Sequence, residues 1–203
     1  MYRHIERVRK LVEERGIKFT VLRAKHDFDY YLLEHIPNRK KEHLQGNKGY
    51  SWAGALSRWC TSKLKVEVME RYLRELRKEH KIVQCIGIAA DEQRRLEKQY
   101  AKKDGYRFPL VEKDMTEEDA LAFCYARGFD WEGLYRIFKR VSCWCCPLQS
   151  LDECRKLRKH FPELWQELRE MDGKTWRKFK PNYSVEDLEA IFAAEDRQER
   201  MDI

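Results

Sequence analysis

Apolar residues near the N-terminus recur at Ile5, Val8, Leu11 and Val12, the spacing of one helix face, and Gly16 follows as a C-cap, so residues 2–15 are predicted to form an amphipathic helix. The pattern then changes period. "IKFTVLRA" at 17–24 is β-branched and reads as a strand, "HDFDYYLLEH" as a short helix, and Pro37–Tyr50 as a basic, non-periodic loop suited to close over an anion or simply to be solvated. A second helical face, Leu64, Val68, Tyr72, Leu73 and Leu76, follows Thr61 as its predicted N-cap. "KIVQCIGIAADE" is the most apolar strand candidate, suited to the middle of a parallel sheet, and 106–112 is a third strand with Pro109 at its edge or start. Thr116 with Asp119 begins another helix, which Gly128 closes; Ser150 with Glu153 begins a series of helices near 151–160, 162–171 and 185–199.

Strands flanked by helices predict an α/β fold with a parallel sheet, and the strand-free C-terminal third predicts an all-helical lobe. The expected organisation is an α/β domain over 1–139, then a cysteine turn and helical lobe over 140–203. Composition adds a bias: the 203 residues include 42 Lys and Arg against 35 Asp and Glu, a formal charge of +7, which favours anionic partners such as nucleotides, sulfate esters or nucleic acid. No run approaches the roughly 18 apolar residues of a membrane span, and the N-terminus lacks the apolar core of a signal peptide, so no membrane association and a cytoplasmic location are expected.

Seven cysteines in such a chain point to thiols, metal or redox chemistry rather than to a disulfide framework. Cys143 and Cys146 in "SCWCCP" have the C-x-x-C spacing that aims two sulfurs at one ion, but a tetrahedral metal or 4Fe–4S cluster takes about four ligands. The remaining candidates are Cys60 in "RWCTSK", favoured by its position at a helix start among cations, then Cys145 and Cys154. An inert thiol cluster or a redox pair is the alternative. Cys85 and Cys124 read as small core residues.

Anion-binding candidates fall in two stretches. Arg58, Lys63 and Lys65 surround a predicted helix start, and Asp91, Arg94 and Arg95 follow the central strand where α/β folds bind ligands; solvated cations and an Asp91 helix cap are the bland alternatives. "KTWRKFK" at 174–180 alternates basic and aromatic residues, suited either to stacking on single-stranded nucleic acid or to core packing of Trp176 and Phe179.

In this order, "MYRHIERVRKLVEERGIKFTVLRAKHDFDYYL", "RWCTSKLK", "CIGIAADEQRR", "FPLVEKDMTEEDALAFCYARGFDWEGLY" and "SCWCCP" resemble the phosphoadenosine phosphosulfate (PAPS) reductase-like proteins of the adenine nucleotide α-hydrolase superfamily, and most of all their metal-binding branch, often associated with phages and mobile elements. The resemblance implies a helix-flanked parallel sheet and a 4Fe–4S cluster on Cys60, Cys143 and Cys146 with Cys145 as alternate ligand; zinc is the alternative metal. It also implies a pocket for an adenine or sulfated nucleotide lined by Arg58, Lys63, Asp91, Arg94 and Arg95. The sequence departs from the family in two places. It has no SGGKDS-like phosphate loop, beginning at what resembles the helix after the second family strand, and it has no C-terminal Glu-Cys-Gly motif with its nucleophilic cysteine. A truncated α/β fold is therefore expected, in which this chain alone does not turn over substrate, and whose exposed sheet edge would favour a homodimer or a protein partner. Two functions compete: a nucleotide-dependent sulfurtransferase or reductase-like oxidoreductase, and a non-catalytic metal-stabilised subunit that binds nucleic acid or a protein.

Overall fold

Residues 2–98 and 104–201 are described by the computed structural model of the chain. The first helix, α1, spans Tyr2–Glu13. Gly16, at φ +70°, closes it as Gly16 N donates to Glu13 O and Ile17 N to Val12 O, the left-handed ending that glycine adopts without a Cβ penalty. A single π-helical turn follows at Tyr30–Glu34. Trp59–Thr61 (α2) then runs through π-helical Ser62–Val66 into Glu67–Leu76 (α3), so Thr61 lies inside a helix rather than capping one, and the N-cap is Arg58. Strand β1 is Gln84–Cys85, followed by helix α4, Gln93–Leu96, and strand β2, Tyr106–Arg107. Short α5, Pro109–Glu112, precedes α6, Glu117–Tyr125, whose N-terminus carries the expected reciprocal capping box between Thr116 and Asp119. The chain ends with α7, Leu134–Ile137, α8, Leu151–His160, α9, Pro162–Gly173, and α10, Val185–Met201. Ser150 caps α8 by accepting from Glu153 N, while the Glu153 carboxylate accepts from Lys139 N instead of closing the box.

The expected parallel sheet flanked by helices is not what forms. Among the described residues the only sheet is one parallel pair, with Gln84 opposite Tyr106 and Cys85 opposite Arg107, and the fold is helix-rich. The reason lies in pairing. Residues 17–24 take no regular secondary structure, and no strand among the described residues pairs with them; Ile17 and Val21 stay 55% and 53% exposed. Pro109 opens the α5 turn at its N1 position, where its missing N–H costs nothing, and so ends β2 at Arg107. Cys85, expected in the core, is exposed on β1, and Cys124 is half-buried on α6.

The chain divides into two compact units that interleave in sequence: Met1–Val21 with Glu70–Tyr135, and Leu22–Met69 with Arg136–Ile203. In the first unit Arg7 fastens α1 to the turn after α6, donating to Gly128 O at 2.8 Å and Arg127 O at 2.6 Å with its guanidinium over the Phe129 ring. Ile88 and Ala89, just after β1, are its buried apolar residues among those described.

The second unit holds the main core. Cys154 and Leu157 of α8, Trp165 and Leu168 of α9, and Val185, Leu188 and Phe192 of α10 pack with Phe179, Leu32, Trp52 and Trp59. Each full burial of a side chain of this size stabilises by about 1.5–3 kcal/mol. Polar groups in the core are paired: Asp172 accepts from Trp52 Nε1 at 2.6 Å and from Val185 N at 2.7 Å, although burial still pushes its carboxyl up. Arg158 grips Glu189 with two nitrogens and Asp196 with a third, and Glu189 also accepts from Trp165 Nε1. No helix of the described residues is long and apolar enough to cross a membrane.

Candidate metal centre and anion site

The C-x-x-C stretch folds as a tight turn because Cys146 N donates to Cys143 O at 3.1 Å, and Gln149 N to Cys146 O continues it. Gln149 reaches back, its Nε2 donating to Cys143 O at 2.7 Å and Trp144 O at 3.2 Å. Lys180 locks the turn from below. Its Nζ donates to Pro147 O at 3.0 Å and to Gln149 O at 2.6 Å, while the residue is only 8% exposed. No carboxylate of the described residues forms an ion pair with it, which is unusual for a buried charge.

Cys60, on α2, is half-buried and packs against the core beside Cys145, and Cys154 lies wholly inside it. Burial pushes the Cys145 thiol up to about 12, and the negative charges that Cys143, Cys146 and Cys60 would carry add to that shift. Burial also raises the Cys154 thiol, while the Lys180 ammonium pulls it back down. All seven cysteines are free thiols. Among the described residues no three His, Cys, Asp or Glu side chains stand together as a ready ligand set. Thiolates are soft donors, but burial favours the protonated thiol at Cys145.

The predicted cations separate by unit. Arg58 is exposed at the start of α2, Lys65 is exposed, and Lys63 is half-buried with its ammonium 2.7 Å from Glu67 Oε1, a contact that holds it above its ordinary range. Asp91, Arg94 and Arg95 belong to the other unit. There the Asp91 carboxylate accepts from Glu117 N at 3.1 Å and so caps α6, Arg95 pairs with Glu92 at 2.7 Å, and Arg94 is exposed.

A cluster that sequence reasoning missed surrounds Lys63. His26 stacks on Tyr30 at 3.9 Å between centroids, His35 sits against Tyr50 at 4.8 Å and Tyr31 at 5.4 Å, and Tyr50 stacks on Trp59 at 5.6 Å. Burial lowers the His35 pKa, and the nearby charges of Lys63, His26 and Arg39 lower it further. His35 is therefore neutral at pH 7 and offers a hydrogen bond rather than a charge. The signal was present in the density of His and Tyr within "HDFDYYLLEH", which reads as an ordinary amphipathic turn until Tyr50 and Trp59 are brought beside it.

No family model matches the chain, and no solved structure matches it. Two uncharacterized proteins of Methanocaldococcus jannaschii are similar to it. MJ0973 is 25% identical over 174 residues, covering 79% of this chain and 36% of the relative. MJ0066 is 23% identical over 152 residues, covering 68% of this chain and 30% of the relative. The chain thus spans about a third of the length of these curated relatives.

Proposed function

We propose that the chain is the cysteine-bearing part of a PAPS reductase-like protein of nucleotide-activated sulfur metabolism, with Cys60, Cys143, Cys146 and Cys145 holding a 4Fe–4S cluster and Arg58, Lys63 and Lys65 receiving the anionic end of an adenine or sulfated nucleotide. The observation that carries this reading is the buried ammonium of Lys180, fixed to the carbonyls that follow Cys146 and lacking a carboxylate partner among the described residues. A centre ligated by four thiolates is anionic, and a cation held close to it in a low dielectric favours both the thiolates and the centre. When bound, the cluster would supply electron transfer or would position sulfur; zinc, the alternative occupant, has no redox chemistry and would supply no electrons. The chain's own residues have separate tasks: Lys63 and Arg58 attract the oxyanion, neutral His35 donates or accepts beside it, and the Tyr31, Tyr50 and Trp59 rings limit water there. A reducing compartment, the cytoplasm, goes with free thiols in this role.

Anaerobic purification with iron, sulfide and zinc analysis and a visible spectrum tests the reading. The expected result is a brown protein whose absorption bleaches with dithionite and is lost when Cys60, Cys143 or Cys146 is changed to Ser. A colourless protein with one zinc per chain overturns the iron–sulfur assignment, and a metal-free folded protein overturns both metals. One observation favours the second reading, a non-catalytic metal-stabilised subunit: Cys154 is wholly buried and Cys60 and Cys145 pack on the same core, as in a structural staple. Titration with a sulfated adenine nucleotide separates the two, since only the first requires saturable binding that falls in Lys63→Ala.

A further inference from the structure

The basic loop 37–50 and the "KTWRKFK" stretch lie about 130 residues apart in sequence, yet they meet in the second unit. Phe179 and Lys180 of that stretch turn inward, Phe179 edge-on to Trp52 at 5.0 Å and Lys180 to the cysteine turn. Trp176 and Arg177 do not. Trp176 is half-buried and its indole Nε1 donates to Gly49 O at 3.3 Å, which pins the ring edge to the end of the loop. Two guanidiniums lie against its ring: Arg39 at 4.7 Å and Arg177 at 5.0 Å. Arg39 also lines a recess of about 360 Å³ within the loop, together with Ile36, Asn38, Asn47 and Lys48.

The chemistry of these two features is complementary. The recess offers an apolar contact in Ile36, which is 77% exposed, amides in Asn38 and Asn47, and cations in Arg39 and Lys48. The Arg39–Trp176–Arg177 array offers guanidinium planes backed by the indole, on which bases stack, with charges for phosphate. Arg39 is shared between them. One of its terminal nitrogens donates to Gly49 O, while its buried Nε has no hydrogen-bond partner among the described residues. A single guanidinium standing between the loop recess and a stacking ring is placed to meet the phosphodiester that joins two consecutive nucleotides. Lys40 and Lys41 are exposed in the same loop, whose one acidic residue is Glu42, so a backbone running along it would meet further positive charge.

We propose that this face of the second unit binds single-stranded nucleic acid, taking one base in the loop recess and stacking the next on the Trp176 array with Arg39 on the phosphate between them. The proposal does not depend on the metal centre, and metal content reports on that centre separately. Fluorescence anisotropy of the full chain with labelled single-stranded RNA and DNA oligomers tests it, alongside the matching duplex and unlabelled adenosine monophosphate as competitor. Both single strands are expected to outcompete the duplex and the mononucleotide; preference for RNA over DNA would identify a ribose hydroxyl contact, and equal affinity a backbone and base contact alone. Trp176 emission is expected to be quenched on saturation, and Trp176→Ala to weaken binding by about tenfold or more. Arg39→Ala is expected to weaken binding and to reduce the salt slope by about 0.7 for one lost phosphate contact. Trp176→Phe keeps a stacking ring and is expected to fall between, which controls for loss of structure in the alanine variant. Lys113→Ala, on the other unit, removes one exposed charge and is expected to change affinity less than twofold. Duplex binding as tight as single-strand binding overturns the proposal. So does displacement by the mononucleotide at equal concentration, unchanged Trp176 emission, or equal losses in Trp176→Ala and Lys113→Ala.

Discussion

Gly49 is the position where one added methyl group should cost most. Its φ is +66°, and a Cβ built there would lie 1.9 Å from Leu32 O, 2.4 Å from Leu32 C and 2.6 Å from Leu33 N, all backbone atoms that no rotamer change can move. Gly49 N donates to His35 O at 2.7 Å, and the next two amides donate to Tyr31 O and Leu32 O, so the segment lies flat on the π-helical turn. Gly49→Ala therefore incurs about 1–2 kcal/mol for the left-handed backbone, and relief of the clash requires breaking those three hydrogen bonds at about 0.5–1.5 kcal/mol each. A total near 4 kcal/mol corresponds to a fall in Tm of about 8–16 °C for a chain of this size. Gly46→Ala is the matched control. Its φ is +87°, but nothing lies within 4 Å of the added Cβ, so only the backbone cost of about 1–2 kcal/mol applies, or about 2–8 °C. Calorimetry of both variants, with tryptophan emission reporting Trp59 and Trp176 beside the segment, measures the difference. If Gly49→Ala melts within 2 °C of Gly46→Ala, the close approach of Gly49 to Leu32 is refuted.

Other consequences follow from charge and burial. The Ser184 amide, the Lys178 ammonium and the Ser184 hydroxyl hold the Asp187 carboxyl down at about 2. Since this lies below the unfolded value, its contribution to stability is complete above about pH 4 and disappears as pH falls towards 2. Melting curves of Asp187→Asn and the parent should accordingly differ at pH 6 and converge near pH 2, and a constant gap across that range would exclude the linkage. In metal-free protein at pH 8, iodoacetamide should label exposed Cys143 before Cys145, whose thiol burial keeps protonated; mass spectrometry showing equal rates would contradict the burial of Cys145. Arg158→Lys keeps the charge but cannot reproduce the fork to Glu189 and Asp196, and should lower Tm by about 4–8 °C, from about 2 kcal/mol for charge-assisted bonds discounted for partial exposure. An unchanged melt would assign the hold between α8 and α10 to apolar packing alone.

Helices were legible in the sequence because their determinants are local. The Thr116–Asp119 box, Gly16 and Gly128 at positive φ, and the starts of α8, α9 and α10 rest on residues within one or two turns of each other. Strands were legible only in part: β1 and β2 fall inside two of the predicted strands and pair in parallel, but each is two residues long and no wider sheet forms among the described residues, because a strand is defined by a neighbour that its own sequence does not name. Residues 17–24 have the right residue types, but a β-branched stretch that finds no ladder among the described residues remains a loop, exposed at Ile17 and Val21. The same limit explains Cys85, which is apolar by context in sequence and exposed in a strand of two residues.

For the candidate site, spacing pointed to the Cys143–Cys146 turn, which forms; Cys60 was named as a further ligand because its cationic neighbours would stabilise a thiolate and because of the family resemblance, and the structure brings no ligand set together among the described residues. Lys180 was not singled out for the cysteines, since it ends a stretch that alternates aromatic and basic residues and reads as surface. Its inward turn follows from two constraints acting together. Phe179 enters the core against Trp52, and Lys180 N and Tyr183 N bond back to the carbonyls of Tyr183 and Lys180, a tight reversal that leaves the adjacent side chain beside the same core. Once there, the ammonium must be satisfied by the nearest acceptors, and those are the carbonyls of Pro147 and Gln149, freed because Pro147 prevents the cysteine turn from continuing as a helix. The proline that ends "SCWCCP" thus has a role beyond stopping the turn: it exposes the acceptors that hold a positive charge next to the thiols. Replacing Lys180 with Met would leave those carbonyls without a donor while relieving a buried charge, so the sign of the stability change would show whether the lysine serves the fold or the centre beside it.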